Sequence, residues 1–173
     1  VYMSKDLMFL KSGTDIRGVA LGVLKNEPET LTNDAVRKIA IGFGLWLSEN
    51  TNKDFSMLSV AIGHDSRLSA DRIKTILVET LSIMGIKVFD CGLSSTPAMF
   101  MATIDLPCDA SIEITASHHP FNKNGLKFFT KYGGLEGKDI EQILKYAMEN
   151  DFLNNSSALT NIEKINYMSK YEK

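Results

Sequence analysis

Ala110-Ser111-Ile112-Glu113-Ile114-Thr115-Ala116-Ser117-His118-His119-Pro120, followed by Asn124-Gly125-Leu126-Lys127-Phe128-Phe129, is the stretch on which the reading of this chain turns. Its first six residues alternate apolar and polar side chains, the period of a β-strand, and the run from Leu126 is β-prone again. Between them lie Pro120, which fixes φ and cannot donate, and Asn124-Gly125, a turn signal. The pattern predicts a polar loop joining two strands, with Ser117 displayed close to a strand end, where α/β proteins commonly set functional groups.

A serine in that position has two chemistries open to it. With His118 or His119 as base it can attack an acyl carbon; with cations and a metal around it, it can carry a phosphoryl group. The Gly-x-Ser-x-Gly elbow of acyl transfer is absent. Adjacent histidines point in different directions, so His118-His119 is a poor pair of metal ligands on its own.

Working outward, the chain alternates strand and helix signals. Leu7–Leu10 leads into Ser12-Gly13-Thr14-Asp15-Ile16-Arg17-Gly18, read as a Gly-bounded loop holding Arg17, with a strand expected over Val19–Val23. An ordinary hairpin with an exposed Arg is the plain alternative for that loop. Val36, Ile39, Ala40, Phe43, Trp46 and Leu47 recur at three and four residues, which predicts a helix capped by Thr32 or Asn33. Met57–Gly63 reads as a buried parallel strand that ends in His64-Asp65-Ser66-Arg67. A helix opened by Ser69 or Asp71 and stopped by Gly85 follows, then a strand over Ile86–Asp90 and a short helix with Thr96 as cap and Pro97 in its first turn. Asp139–Glu149 is the last clear helix.

These elements predict a three-layer α/β/α domain over residues 1–150, built on a mixed, mostly parallel sheet with an antiparallel edge after Ser117. Loops at strand ends then bring Arg17, Arg67, Ser117 and Lys127 to one cleft. Asp151–Thr160 is rich in Asn and Ser and reads as a linker. Ile162, Ile165, Tyr167, Met168 and Tyr171 repeat at helical spacing, so 151–173 is expected to be a linker and the start of a connection to a second domain.

At 173 residues the chain is about one domain long and can bury a core. Lys plus Arg total 19 against 21 Asp plus Glu, a net charge of −2, which leaves no basic footprint for nucleic acid or an anionic membrane. No membrane span or signal peptide is visible. Cys91 and Cys108 lack zinc spacing and sit beside apolar runs, so they read as reduced thiols of a cytoplasmic protein.

Four motifs in order resemble the α-D-phosphohexomutases, the family of phosphoglucomutase and phosphomannomutase. Ser12–Gly18 resembles the family's Gly-Thr-x-Gly-Ile-Arg-Gly loop, and Gly63-His64-Asp65-Ser66-Arg67 its Gly-x-Asp-x-Arg turn. Ser95-Thr96-Pro97 is similar to its Thr-Pro helix start. Thr115–Pro120 with Asn124-Gly125-Leu126-Lys127 is similar to its phosphoserine loop, Thr-Ala-Ser-His-Asn-Pro and Asn-Gly-x-Lys. The resemblance spans Ser12 to Glu149 and departs at His119, where the family has Asn, and at Asp15-Ile16, where it has Gly before Ile.

That resemblance implies the first of four domains of an enzyme that interconverts hexose 1-phosphate and hexose 6-phosphate through a bisphosphorylated intermediate. Ser117 is then the phosphoryl carrier and, once phosphorylated, a ligand of Mg²⁺, whose three aspartate ligands come from the second domain. It further implies that Lys127 and Arg17 neutralise charge, that Lys127 or, secondarily, His118 moves a proton, and that hexose 1,6-bisphosphate is the activator. Arg67 is expected to be structural, paired with a carboxylate. The partners implied are the hexose phosphate substrate and the protein's remaining domains, and the fragment alone is expected to be inactive. A non-catalytic α/β module that binds a sugar phosphate or a protein is the rival reading.

Overall fold

Hydrophobic runs too short for helices form the centre of the molecule, and the helical stripes close over both of its faces. The computed structural model describes residues 6–149 and 162–171; the linker expected over Asp151–Thr160 lies outside the described residues.

Among the described residues eight strands pair into one sheet: β1 (Lys11–Ser12), β2 (Asp15–Val19), β3 (Ser59–His64), β4 (Lys87–Leu93), β5 (Ala110–Ile114), β6 (Lys123–Thr130), β7 (Gly133–Gly134) and β8 (Ile162–Lys164). Their order is β1-β2-β6-β5-β3-β4-β8, with β7 paired to β6. Among the described residues β1 and β6 run against the other six strands, so the sheet is mixed and mostly parallel in direction.

Five α-helices among the described residues flank it: α1 (Asn33–Thr51), α2 (Ala70–Ile83), α3 (Thr96–Asp105), α4 (Gly137–Glu149) and α5 (Tyr167–Tyr171). Thr32 caps α1, its hydroxyl accepting from Ala35 N at 3.1 Å. Val36, Ile39, Ala40, Phe43 and Leu47 then lie on one stripe and are fully buried. That stripe, with Ile73, Leu77 and Leu81 of α2 and Ile140, Ile143 and Leu144 of α4, packs on Val60, Ile62, Ile112, Ile114, Leu126 and Phe128 of the sheet. Each such side chain contributes about 2 kcal/mol by leaving water. On the opposite face Ala98, Met99 and Ala102 of α3 and Tyr167 of α5 cover Ala61, Phe89 and Cys91. Consecutive residues of β3 thus serve both layers, the period-2 alternation of a strand buried on both sides. No described helix is long and apolar enough to cross a membrane.

Four local expectations change, the first at the start of α3, where Ser95 and not Thr96 is the cap, its hydroxyl accepting from Ala98 N at 3.3 Å. The segment between Gly13 and Gly18 takes the hairpin alternative, turning at Gly13 (φ 63) with Arg17 half-buried rather than exposed, and the strand is Asp15–Val19 rather than Val19–Val23. Its partner decides this, because β6 offers an edge on which Asp15, Arg17 and Val19 pair with Lys127, Gly125 and Lys123. Asn124-Gly125, expected as a turn, lies inside β6 for the same reason. The tail is not one helix. Ile162 pairs with Val88 at the open edge of β4, and among the described residues of the tail Tyr167–Tyr171 is the helical part, with the Tyr167 hydroxyl donating to Asp105 at 2.7 Å.

Candidate functional site

β3 and β5 are parallel neighbours, so the loops that leave them meet at one end of the sheet. Thr115 continues β5 by donating its N–H to Gly125 O at 3.0 Å. Its hydroxyl then works twice, donating to Asp65 Oδ2 at 2.7 Å and accepting from Ser117 N at 3.0 Å. Ser117 is exposed and has a left-handed backbone, φ 53, a conformation that costs a non-glycine residue about 1 kcal/mol and persists where surroundings enforce it.

Arg67 enforces it. One guanidinium nitrogen, Nη2, donates to Ser117 O at 2.7 Å and His119 O at 2.8 Å; the other, Nη1, donates to Pro120 O at 2.7 Å and Lys123 O at 3.0 Å. The fixed fork of a guanidinium suits this, since four converging carbonyls need several donors in one plane. Asp65 holds the fork from behind: its Oδ2 lies 3.4 Å from Arg67 Nε, within ion-pair range but outside hydrogen-bond geometry. The expectation that Arg67 pairs with a carboxylate describes this contact, while its grip on the serine loop was not foreseen.

A second ionic cluster lies beside the loop on β2 and β6. Asp15, 6 % exposed, accepts from Arg17 Nη2 at 2.9 Å through one carboxylate oxygen and from Lys127 Nζ at 3.1 Å through the other. One anion therefore fixes two cations and leaves a net positive charge. Arg17 crosses β6 where Gly125 sits, and a Cβ there would strike Ile16 O, lie 2.9 Å from Arg17 Cγ and 3.0 Å from Thr115 O. Glycine serves this close approach, not a turn.

The histidines complete the rim. His118 Nδ1 is 3.4 Å from Ser117 Oγ, a weak contact, and the two imidazoles stack at 5.3 Å with 16° between planes. Partial loss of water, followed by the positive charges of Arg17, His118, Lys123 and Arg67, lowers the pKa of His119 from its ordinary value. Neutral His119 is thus favoured, and the site's potential is positive.

Behind the loop Glu113 of β5 is buried at 1 % exposure and accepts from Ser94 Oγ at 2.9 Å. Burial pushes its pKa up to about 8, against a smaller lowering by the Ser94 hydrogen bond and a further rise from Asp65. The pair fits because Gly63 has no side chain: a Cβ there would meet Ser94 Oγ and come within 2.6 Å of Met99 Sδ.

Of the residues expected to share a cleft, Arg67 and Ser117 form one contact network, which His118 joins through its weak contact with Ser117, and Arg17 and Lys127 form another through Asp15. The two networks adjoin at Thr115, Gly125 and His119, and no hydrogen bond joins Lys127 to Ser117. Asp15, Asp65, Glu113, Thr115 and Lys123 were not assigned roles from the sequence. The signal available for Glu113 was a carboxylate on a strand covered by helices on both faces.

The chain matches the family model described as phosphoglucomutase/phosphomannomutase, alpha/beta/alpha domain I, over residues 12–154. It is 36% identical over 146 residues to a phosphoglucosamine mutase of Campylobacter fetus, covering 83% of this chain and 30% of that protein. A phosphoglucosamine mutase of Nautilia profundicola is 36% identical over 132 residues, covering 76% and 29%. A phosphoglucomutase/phosphomannomutase family protein from Burkholderia thailandensis superimposes with a TM-score of 0.74 at 26% identity, over 94% of this chain and 34% of its own. The chain therefore spans about a third of the length of these proteins. Fold, motif order and sequence agree, and the chain belongs to the phosphoglucomutase/phosphomannomutase family, whose α/β/α domain I it contains.

Proposed function

We propose that this chain is the first domain of a hexose-phosphate mutase in which Ser117 carries the phosphoryl group. The observation that supports this most is the hold of Arg67 on Ser117, which leaves the hydroxyl exposed while fixing its backbone. Phosphoryl transfer needs positioned groups and neutralised charge more than covalent chemistry from the protein. Arg67 and Asp65 supply the positioning. Arg17 and Lys127, pre-set by Asp15, supply cations for the phosphoryl oxygens. The His118 imidazole takes the proton of the sugar hydroxyl as it attacks the phosphate on Ser117, and returns it when the phosphoryl group goes back from the bisphosphorylated sugar.

Among the described residues no group of three His, Cys, Asp or Glu side chains is placed to hold a metal. The donor set of this chain fits Mg²⁺ through one ligand only, an oxygen of phosphorylated Ser117, with the remaining ligands expected from a further domain. When bound, such an ion adds charge neutralisation at the phosphate. Glucosamine phosphate is the substrate favoured among hexose phosphates, because the relatives at 36% identity are phosphoglucosamine mutases. A hexose 1,6-bisphosphate primes the serine, and the cytoplasm, where sugar phosphates are held, is the proposed location.

The test is a coupled mutase assay on this chain joined to the downstream domains of its family. Turnover of glucosamine 6-phosphate that is lost in Ser117→Ala supports the proposal; equal turnover in Ser117→Ala refutes it.

A further inference from the structure

The end of the sheet opposite Ser117 holds a cavity of about 660 Å³, within the size range of ligand pockets. It lies where α1 ends, β5 begins, β6 ends and α4 begins. Because β5 and β6 are antiparallel, the start of the one and the end of the other meet a strand's length away from the serine loop. The wall carries three lysines and three carboxylates, and so no net charge. Most of these pair with one another: Lys53 with Asp109 at 2.6 Å and Lys138 with Glu136 at 3.1 Å. Asp139 Oδ2 accepts from Glu136 N at 2.9 Å, and Lys131 lies over one face of the Tyr132 ring, 5.1 Å from its centroid. Without surplus charge the cavity favours neither an anion nor a cation.

The groups left over are neutral. Trp46, the chain's one tryptophan, is 6 % exposed on this wall. Its indole N–H is not fully enclosed and has no protein acceptor among the described residues, where a largely buried indole ordinarily has one. The exposed amide of Asn50 enters no hydrogen bond among the described residues, and the Tyr132 ring is 87 % exposed. An open aromatic face beside uncharged donors and acceptors matches a sugar ring, whose C–H face is apolar and whose rim is hydroxyl.

We propose that this cavity is a separate saccharide site, which takes a neutral, unphosphorylated disaccharide with one ring face on Tyr132 and its hydroxyls shared between the Trp46 N–H and the Asn50 amide. The site stands on its own wall and not on the chemistry assigned to Ser117.

Because the single tryptophan lies in the wall, its fluorescence reports on this site alone. The test is titration of this chain with maltose, cellobiose and N,N′-diacetylchitobiose, and with glucose 6-phosphate as the charged comparison. At least one of the three disaccharides is expected to change the Trp46 emission saturably in the millimolar range, and glucose 6-phosphate to change it less. Tyr132→Ala weakens that disaccharide about fivefold, the worth of one aromatic stack, and Tyr132→Phe, which keeps the ring, binds as the wild type does. Asn50→Ala weakens binding in the same direction, whereas Phe121→Ala, an exposed aromatic at the Ser117 end, leaves it unchanged. Both Tyr132 and Asn50 are exposed, so neither variant endangers the fold. No saturable response to any of the three disaccharides, equal affinity in Tyr132→Ala, or equal loss in Phe121→Ala overturns the site. A response to glucose 6-phosphate as strong as that to the best disaccharide overturns its assignment to a neutral saccharide.

Discussion

Arg67 Nη2 lies 2.7 Å from the carbonyl oxygen of Ser117, a hydrogen bond that ties the turn after β3 to the residue proposed to carry the phosphoryl group. Three more carbonyls of the same loop converge on that guanidinium. The guanidinium therefore satisfies four of the loop's carbonyls at once.

Arg67→Met leaves those carbonyls without their donor and Asp65 without its ion-pair partner. Loss of a largely buried, paired Arg is expected to lower stability by about 3 kcal/mol in urea unfolding. Arg67→Lys keeps the charge but not the fork, and falls between wild type and Met. A Met variant as stable as the wild type contradicts the clamp.

Glu113 makes stability depend on pH. Its folded pKa of about 8 lies above the ordinary 4.5, so between those values the folded state binds more protons than the unfolded state. The contribution is whole below about pH 4.5 and is lost as pH rises through about 8. Glu113→Gln removes that slope, so stabilities of variant and wild type diverge toward the alkaline side by roughly 2–4 kcal/mol. Urea midpoints at acid, neutral and alkaline pH check this; parallel curves rule it out.

Gly125→Ala tests the crowding where Arg17 crosses β6. The new methyl meets Ile16 O, which is backbone in a paired strand and cannot swing away. A loss of about 2–3 kcal/mol is expected. Gly133→Ala is a useful contrast: its Cβ meets nothing within 4 Å, so its penalty comes from φ 115 alone.

The chain by itself is expected to turn over hexose phosphates negligibly, because it supplies one metal ligand and about a third of the length of its relatives. A coupled assay on the 173-residue chain reads this directly, and sustained turnover at rates typical of mutases contradicts it.

The sequence made the helices and the place of Ser117 legible because both depend on local pattern. The stripe Val36–Leu47 has one period, and Ser117 follows an alternating strand. Asn124-Gly125 misled because the same dipeptide serves a turn or a crowded strand, and only the approach of Ile16 and Arg17 distinguishes them. Asp15 and Lys127 are 112 residues apart, so their pairing follows from register and not from spacing. Ile162 became strand through the open edge of β4, a tertiary choice that a helical repeat cannot reveal.

The central claim is that Ser117 carries phosphate. Peptide mapping by mass spectrometry, on this chain joined to its family's downstream domains and incubated with glucose 1,6-bisphosphate, tests it most directly. One phosphoryl group is expected, on the peptide containing Ser117 and absent from Ser117→Ala. An unphosphorylated Ser117 in protein that nonetheless interconverts hexose phosphates would contradict it.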